Sequence, residues 1–148
     1  MKKILFICHG NICRSPMAEY VMKKLVKDAG REKDFYIDSA ATSTEEIGNG
    51  IHPGSRRKMQ EMGIPFGNHR ARRITAGDYD DYDLLIGMDA ENMYYMKCIL
   101  GEDSGGKLHL LLEYAGKSRD IADPWYTGNF DDTYNDIIEG CTALLAAL

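Results

Sequence analysis

The order of hydrophobic patterns along this chain predicts an α/β fold: a three-layer, doubly wound, four-stranded parallel sheet with helices on both faces. Three observations carry the expectation. Short continuous apolar runs, as in Ile4-Leu5-Phe6-Ile7, are the mark of strands covered on both faces. They alternate with stretches of helical periodicity, which implies parallel strands joined by crossover helices. The length of 148 residues fits one compact domain, and 44% hydrophobic with 28% charged residues is an ordinary globular mixture. No repeat, low-complexity tract or linker divides the chain, so residues 1–148 read as a single domain.

The elements follow in order. After the first strand, Ser15-Pro16 reads as a helix start, with Ser as cap and Pro at the first helical position. Met17, Val21, Met22, Leu25, Val26 and Ala29 continue at helical spacing, and Gly30 stops the helix. Phe35-Tyr36-Ile37 is a second, short strand, and Thr42 to Gly54 is a loop rich in Thr, Ser, Gly and Asn. A short helix runs from about Pro53 to Met62, ended by Gly63. Leu84-Leu85-Ile86 is a third strand, and Asp89 caps a helix carrying Met93, Met96 and Cys98 or Ile99. Leu108 to Leu112 supplies the fourth strand; Phe130, Tyr134, Ile137, Ile138, Cys141, Leu144 and Leu145 share one face of a closing helix. Sheets of this kind carry their functional loops at the carboxyl ends of the strands, which is where Cys8, Asp89 and Asp123 fall.

Composition removes several classes. A formal net charge of −5 disfavours general nucleic-acid binding. Basic residues gather between Arg56 and Arg73; a solvated face is the ordinary reading, and local anion binding stays open. No apolar run is long enough to cross a membrane. The apolar start breaks off at Cys8-His9-Gly10-Asn11, too soon for a secretory core, so the expected location is the cytoplasm. The four cysteines, at 8, 13, 98 and 141, are then expected as thiols. Neither they nor the scattered histidines at 9, 52, 69 and 109 form the paired short spacings of a zinc site, and no metal or other cofactor is expected.

The central motif is Cys8-His9-Gly10-Asn11-Ile12-Cys13-Arg14-Ser15-Pro16. Phosphoryl transfer needs donors for three equatorial oxygens and a nucleophile in line with the leaving group. A loop entering a helix points free backbone N–H groups at a common centre, so His9, Gly10, Asn11, Ile12, Cys13, Arg14 and Ser15 form a candidate phosphate-binding loop. Gly10 allows close approach of the backbone, and Arg14 offers a planar fork of donors. Cys8 is placed to attack phosphorus as a thiolate, a form favoured by helix N-termini and nearby cations, and Ser15 can donate to its sulfur. The bland alternative is a buried cysteine beside a surface arginine. No Walker motif, dinucleotide fingerprint or Cys-x-x-Cys competes for this loop.

A poor leaving group also needs a proton donor. Acidic residues are too many for spacing to choose among them, but Asp123-Pro124-Trp125-Tyr126 stands out. Proline fixes the turn, and the aromatics can grip a phenyl ring or simply pack.

These residues resemble the low-molecular-weight protein tyrosine phosphatases. Cys8 to Pro16 is similar to the family's signature loop, and Asp123-Pro124-Trp125-Tyr126 to its late Asp-Pro-aromatic-aromatic loop. Asp38-Ser39-Ala40-Ala41-Thr42-Ser43, His69-Arg70-Ala71-Arg72-Arg73-Ile74 and Gly87-Met88-Asp89 resemble further family segments, in the family's order. The resemblance implies Cys8 as nucleophile, Arg14 as phosphate clamp and Asp123 as general acid and then base. It implies Asn11, Ser15, Ser39 and His69 as supports of the loop, and Ile12, Glu45, Trp125 and Tyr126 as lining of the substrate cleft. Cys13 matches a cysteine that pairs reversibly with Cys8 under oxidation. The implied partners are phosphotyrosine-containing proteins and, in the site, phosphate or other oxyanions, with neither nucleic acid nor membrane.

The chain departs from the family pattern at three points that bear on substrate preference. Glu45 stands where an aromatic is common and should repel acidic substrates; Trp125 replaces a common Tyr; Thr127 is inserted before Gly128. Two other activities of the same architecture are weighed. Arsenate reduction uses further cysteines near the third strand, where this chain has Met88, with Cys98 ten residues on. Protein arginine phosphatases carry Thr where this chain has Ile12, and an apolar wall suits a phenyl ring better than a guanidinium. A phosphate-binding module without turnover is a third reading, set against three filled catalytic positions.

Overall fold

The structure is a computed structural model describing residues 1–148. Four parallel strands, β1 (Lys2–Cys8), β2 (Phe35–Ala41), β3 (Leu84–Gly87) and β4 (Leu108–Leu110), lie in the order β2-β1-β3-β4. The helices are α1 (Arg14–Asp28), α2 (Pro53–Glu61), α3 (Asp78–Asp81), α4 (Ala90–Leu100), α5 (Pro124–Thr127) and α6 (Phe130–Ala147).

Alternation along β1 builds both layers of core. Ile4, Phe6 and Cys8 face α1 and α6, joining Met17, Val21, Met22, Ile137, Cys141 and Leu144 in the larger cluster. Leu5 and Ile7 face the other way, against Leu85, Met96 and Leu108. Both faces are therefore buried, as the uninterrupted apolar run requires. The strand order turns outward from β1 to β2 on one side and to β3 on the other, so the crevice at the carboxyl ends of β1 and β3 is the topological switch point.

Several expected boundaries move. The first helix begins at Arg14 with Cys13 as N-cap, so Ser15 is inside the helix and its hydroxyl is free for the site. Ala29 is the exposed C-cap rather than a core residue, and Gly30 follows with φ of 70°. β2 extends to Ala41, because its pairing with β1 runs the full length of that strand to Cys8. β4 stops at Leu110 and the chain coils into a 3-10 turn over Leu111–Ala115, which puts Leu111 and Leu112 in the core beneath α6. On α4, Ile99 packs inward and Cys98 is exposed; Asp89 caps that helix through a reciprocal pair with Asn92. No helix is long and apolar enough to cross a membrane.

Candidate active site

The loop after β1 is organised around Cys8. Its sulfur receives the backbone N–H of Asn11 at 3.3 Å and of Ser15 at 3.4 Å, with the Ser15 hydroxyl at 3.0 Å. The Asn11 amide donates to Ser15 Oγ at 2.8 Å, which leaves the serine hydrogen to point at sulfur. The tight bend falls on Asn11, with φ of 59°, and not on Gly10. Asparagine tolerates this left-handed conformation better than most side chains, and here it is held on three sides. His69 Nε2 donates to its carbonyl at 2.8 Å, Arg72 N–H donates to its Oδ1 at 3.2 Å, and Ser15 takes its amide hydrogen. Gly10 answers a different need: a Cβ there would lie 3.3 Å from Glu46 Cγ.

Arg14 is almost wholly buried, 2% exposed, and its two terminal nitrogens are anchored at the base of the crevice. Nη1 donates to Asp89 Oδ2 at 2.6 Å and to the Ile121 carbonyl at 2.9 Å; Nη2 reaches Asp123 Oδ2 at 3.4 Å. Burial works to lower its pKa, but the charges of Cys8, Asp89 and Asp123 outweigh burial and raise it, so the cation is secure. Asp89 thus serves two elements at once, capping α4 through Oδ1 at 2.7 Å and fixing Arg14 through Oδ2.

Asp123 is carried over the loop by a chain of anchors. Ile121 is buried and bonds Met88 through its N–H at 2.9 Å, Thr133 Oγ1 donates to the Ala122 carbonyl at 3.0 Å, and Pro124 is buried. Asp123 Oδ1 then accepts from Trp125 N–H at 3.0 Å. Trp125 and Tyr126 stand 58% and 82% exposed at the mouth, so the alternative of ordinary core packing does not hold. Trp125 meets the His52 ring edge-on at 5.7 Å, and His52 donates its N–H to the Ile12 carbonyl at 2.8 Å, joining the aromatic wall to the loop.

The cleft brings together Cys8, His9, Gly10, Ile12, Cys13, Arg14, Glu45, Asp123, Trp125 and Tyr126, as the sequence indicates, and adds Glu46. Asn11 and Ser15 support it from below. Ser39 supports it only at one remove: its hydroxyl donates to Glu19 Oε1 at 2.6 Å, and that oxygen lies 4.0 Å from His69 Nδ1. Glu19, 3% exposed, was not among the expected residues, nor were Asp89 and His52 as parts of the site. The run of basic residues does not act as one anion site: Arg72 is paired with Asp78 at 3.0 Å, Lys58 with Asp131 at 2.7 Å, and Arg56 and Arg57 are exposed. Cys13 is different from Cys8: it is buried, has no N–H aimed at its sulfur, and burial above all, then the charges on Cys8 and Asp123, push its pKa up to about 12. All four cysteines are free, and no three His, Cys, Asp or Glu side chains cluster to hold a metal ion.

Fold and loop define the class: an α/β protein with a loop of inward-facing N–H groups around a cysteine at the switch point of its sheet. A family model described as low molecular weight phosphotyrosine protein phosphatase matches residues 3–148. The low molecular weight protein-tyrosine-phosphatase YfkJ of Bacillus subtilis is 39% identical over 150 residues, spanning 100% of this chain and 96% of that protein. The low molecular weight phosphotyrosine protein phosphatase of Gallus gallus is also 39% identical over 150 residues, spanning 98% and 94%. The crystal structure of YfkJ superposes with a TM-score of 0.96 at 40% identity, over 99% of this chain and 94% of that one. That of a Drosophila arginine phosphatase reaches 0.88 at 32% identity, over 99% and 97%. The chain belongs to the low molecular weight phosphotyrosine protein phosphatase family, and it is a low molecular weight protein-tyrosine-phosphatase.

Proposed function

We propose that residues 1–148 form one phosphatase unit that hydrolyses phosphotyrosine on protein substrates through a phosphocysteine at Cys8. The observation that carries this reading is the convergence of Asn11 N–H, Ser15 N–H and Ser15 Oγ on the Cys8 sulfur. Donors so placed stabilise negative charge on the nucleophile, whereas Cys13 keeps its proton.

In the first step the Cys8 thiolate attacks phosphorus, the S–P bond forms and the P–O bond to the tyrosyl ring breaks. The Asp123 carboxyl gives its proton to the departing oxygen. Arg14 and the backbone N–H groups of residues 9–15 take the equatorial oxygens, with no reorganisation because Asp89 and the Ile121 carbonyl already hold the guanidinium. In the second step the Asp123 carboxylate removes a proton from water, the water oxygen attacks phosphorus, and the S–P bond breaks to release phosphate and the thiolate. The step needs no cofactor.

Tyrosine is favoured over arginine as the phosphorylated residue because Ile12 lines the cleft as an apolar surface together with Trp125 and Tyr126. Arsenate reduction is disfavoured because Met88, which has no thiol, follows β3 where a relay cysteine would be needed, and Cys98 lies exposed on α4. Cys13 is read as a resolving thiol: peroxide oxidises Cys8 to a sulfenic acid, and the Cys13 thiol displaces water from it to form a disulfide. A nucleophilic thiol works in a reducing compartment, which supports the cytoplasm as the place of action. Hydrolysis of a phosphotyrosine peptide, phosphoarginine and p-nitrophenyl phosphate without added metal tests the reading. Cys8→Ser should abolish turnover while phosphate still binds; full activity in that variant would overturn the mechanism.

A further inference from the structure

Two walls of opposite chemistry rise from the phosphate loop. One is aromatic, Trp125 and Tyr126. The other is acidic, Glu45 and Glu46 on the loop that follows β2. That loop is fastened to the phosphate loop where it leaves the sheet: Ser43 N–H and Oγ both donate to the His9 carbonyl, at 3.1 and 2.9 Å. The His9 ring then meets Glu45 Oε2 through Nε2 at 3.0 Å, and Glu46 lies against the backbone at Gly10. Glu45 is therefore positioned, yet its side chain remains 68% exposed and free to meet a bound chain.

The charge balance of the cleft is unusual for a site that receives a phosphate. Its permanent cation, Arg14, stands against three lining carboxylates, Glu45, Glu46 and Asp123, and Arg14 is also shared with Asp89. At the floor this is answered by backbone N–H groups, which carry the phosphate. At the mouth Glu45 meets the His9 ring and Glu46 the Asn49 amide, with no Lys or Arg paired to either, and there the polypeptide on either side of a phosphotyrosine must pass. An acidic side chain in that position faces like charge; a Lys or Arg meets a carboxylate and has exposed aromatic rings in the same cleft.

We propose that Glu45, held by His9 and backed by Glu46, makes this enzyme select phosphotyrosine flanked by Lys or Arg over phosphotyrosine flanked by Asp or Glu. The proposal rests on the phosphatase reading above and specifies the substrate class of the same cleft. If Glu45 served only to brace its loop against His9, its replacement would change all substrates alike.

The test uses the purified full chain and two phosphotyrosine peptides identical except for basic or acidic flanking residues, with p-nitrophenyl phosphate measured beside them. The readout is the ratio of kcat/KM for the two peptides, in which any general loss of activity cancels. Two exposed carboxylates at low ionic strength should favour the basic peptide about three- to tenfold, and added salt should shrink the ratio. Glu45→Gln should bring the ratio toward one, and Glu45→Lys should invert it. A ratio near one in the native enzyme, or a ratio that Glu45→Lys leaves unmoved, overturns the proposal alone. Failure to hydrolyse either peptide or p-nitrophenyl phosphate overturns the phosphatase reading and the proposal with it.

Discussion

The floor and the rim of this cleft are built by different rules. On the floor, Asn11, Arg14 and Ser15 are essentially buried, and no buried side-chain nitrogen or oxygen in the protein lacks a hydrogen-bond partner. Each floor residue holds another: Asn11 sets Ser15, Ser15 addresses Cys8, and Asp89 sets Arg14. At the rim, Glu45, Trp125 and Tyr126 are exposed; Glu45 meets the His9 ring, and Trp125 the His52 ring edge-on. A site that must place charge to within tenths of an ångström needs the first kind of structure; a surface that meets varied protein substrates tolerates the second. Substitutions on the floor should therefore act on the chemical step, and substitutions at the rim on binding.

The largest effects test the floor. Cys8→Ser should lower kcat by on the order of a thousandfold or more, read with p-nitrophenyl phosphate. Asp123→Asn should lower kcat/KM, which reports the leaving-group step and not the shared hydrolysis of the intermediate, by about 10²–10⁴-fold for phosphotyrosine and much less for an aryl phosphate with a good leaving group. Equal losses on both substrates would contradict its role as proton donor. Asn11→Ala removes a partner from Ser15 and Arg72 and forces alanine into the left-handed region. It should cost about 1–3 kcal/mol in denaturant unfolding and lower kcat by roughly 10–100-fold.

The rim should give smaller effects of another kind. Trp125→Ala should raise KM for phosphotyrosine peptides by about three- to tenfold with kcat nearly unchanged. If kcat falls instead, the aromatic wall belongs functionally with the floor. The smallest effect concerns Cys13. Its folded pKa is raised from 9.0 to about 12, so above pH 9 the unfolded chain releases a proton that the folded chain retains. Stability contributed by this thiol is present below about 9 and is lost as pH rises toward about 12, and Cys13→Ala should flatten the slope between those limits. The same variant should lose recovery by thiol reductant after peroxide treatment.

The floor and the rim also differ in how legible they are from sequence. Cys8, Arg14 and Ser15 announce themselves by spacing after an apolar strand and before a helix, because loop and helix are local. Asp89 carries no such mark: its position after β3 shows a helix cap, and its second role depends on Arg14 lying across the sheet, 75 residues away in the chain. Glu19 left a trace that could have been read. It interrupts the buried face of α1 between Ser15, Ala18 and Met22, where a charge persists only if partnered, and its partners are Ser39 and Lys23. Local propensity makes Ser15 the helix cap; the structure starts the helix two residues earlier, with Cys13 as cap, and gives the serine hydroxyl to the Cys8 sulfur. Glu45 could be placed at the rim only by resemblance, and its bond to His9 follows from the Ser43 contacts that no spacing reveals.

The central claim is that Cys8 becomes phosphorylated. Rapid quenching of the Asp123→Asn enzyme with p-nitrophenyl phosphate, whose good leaving group needs no proton donor, followed by proteolysis and mass spectrometry, tests it directly, because loss of the base slows hydrolysis of the intermediate and not its formation. One phosphoryl group on the peptide carrying Cys8, absent in Cys8→Ser, is the predicted result. A phosphoryl group on His9 or Cys13, or turnover with no covalent phosphoenzyme at any time, would contradict it.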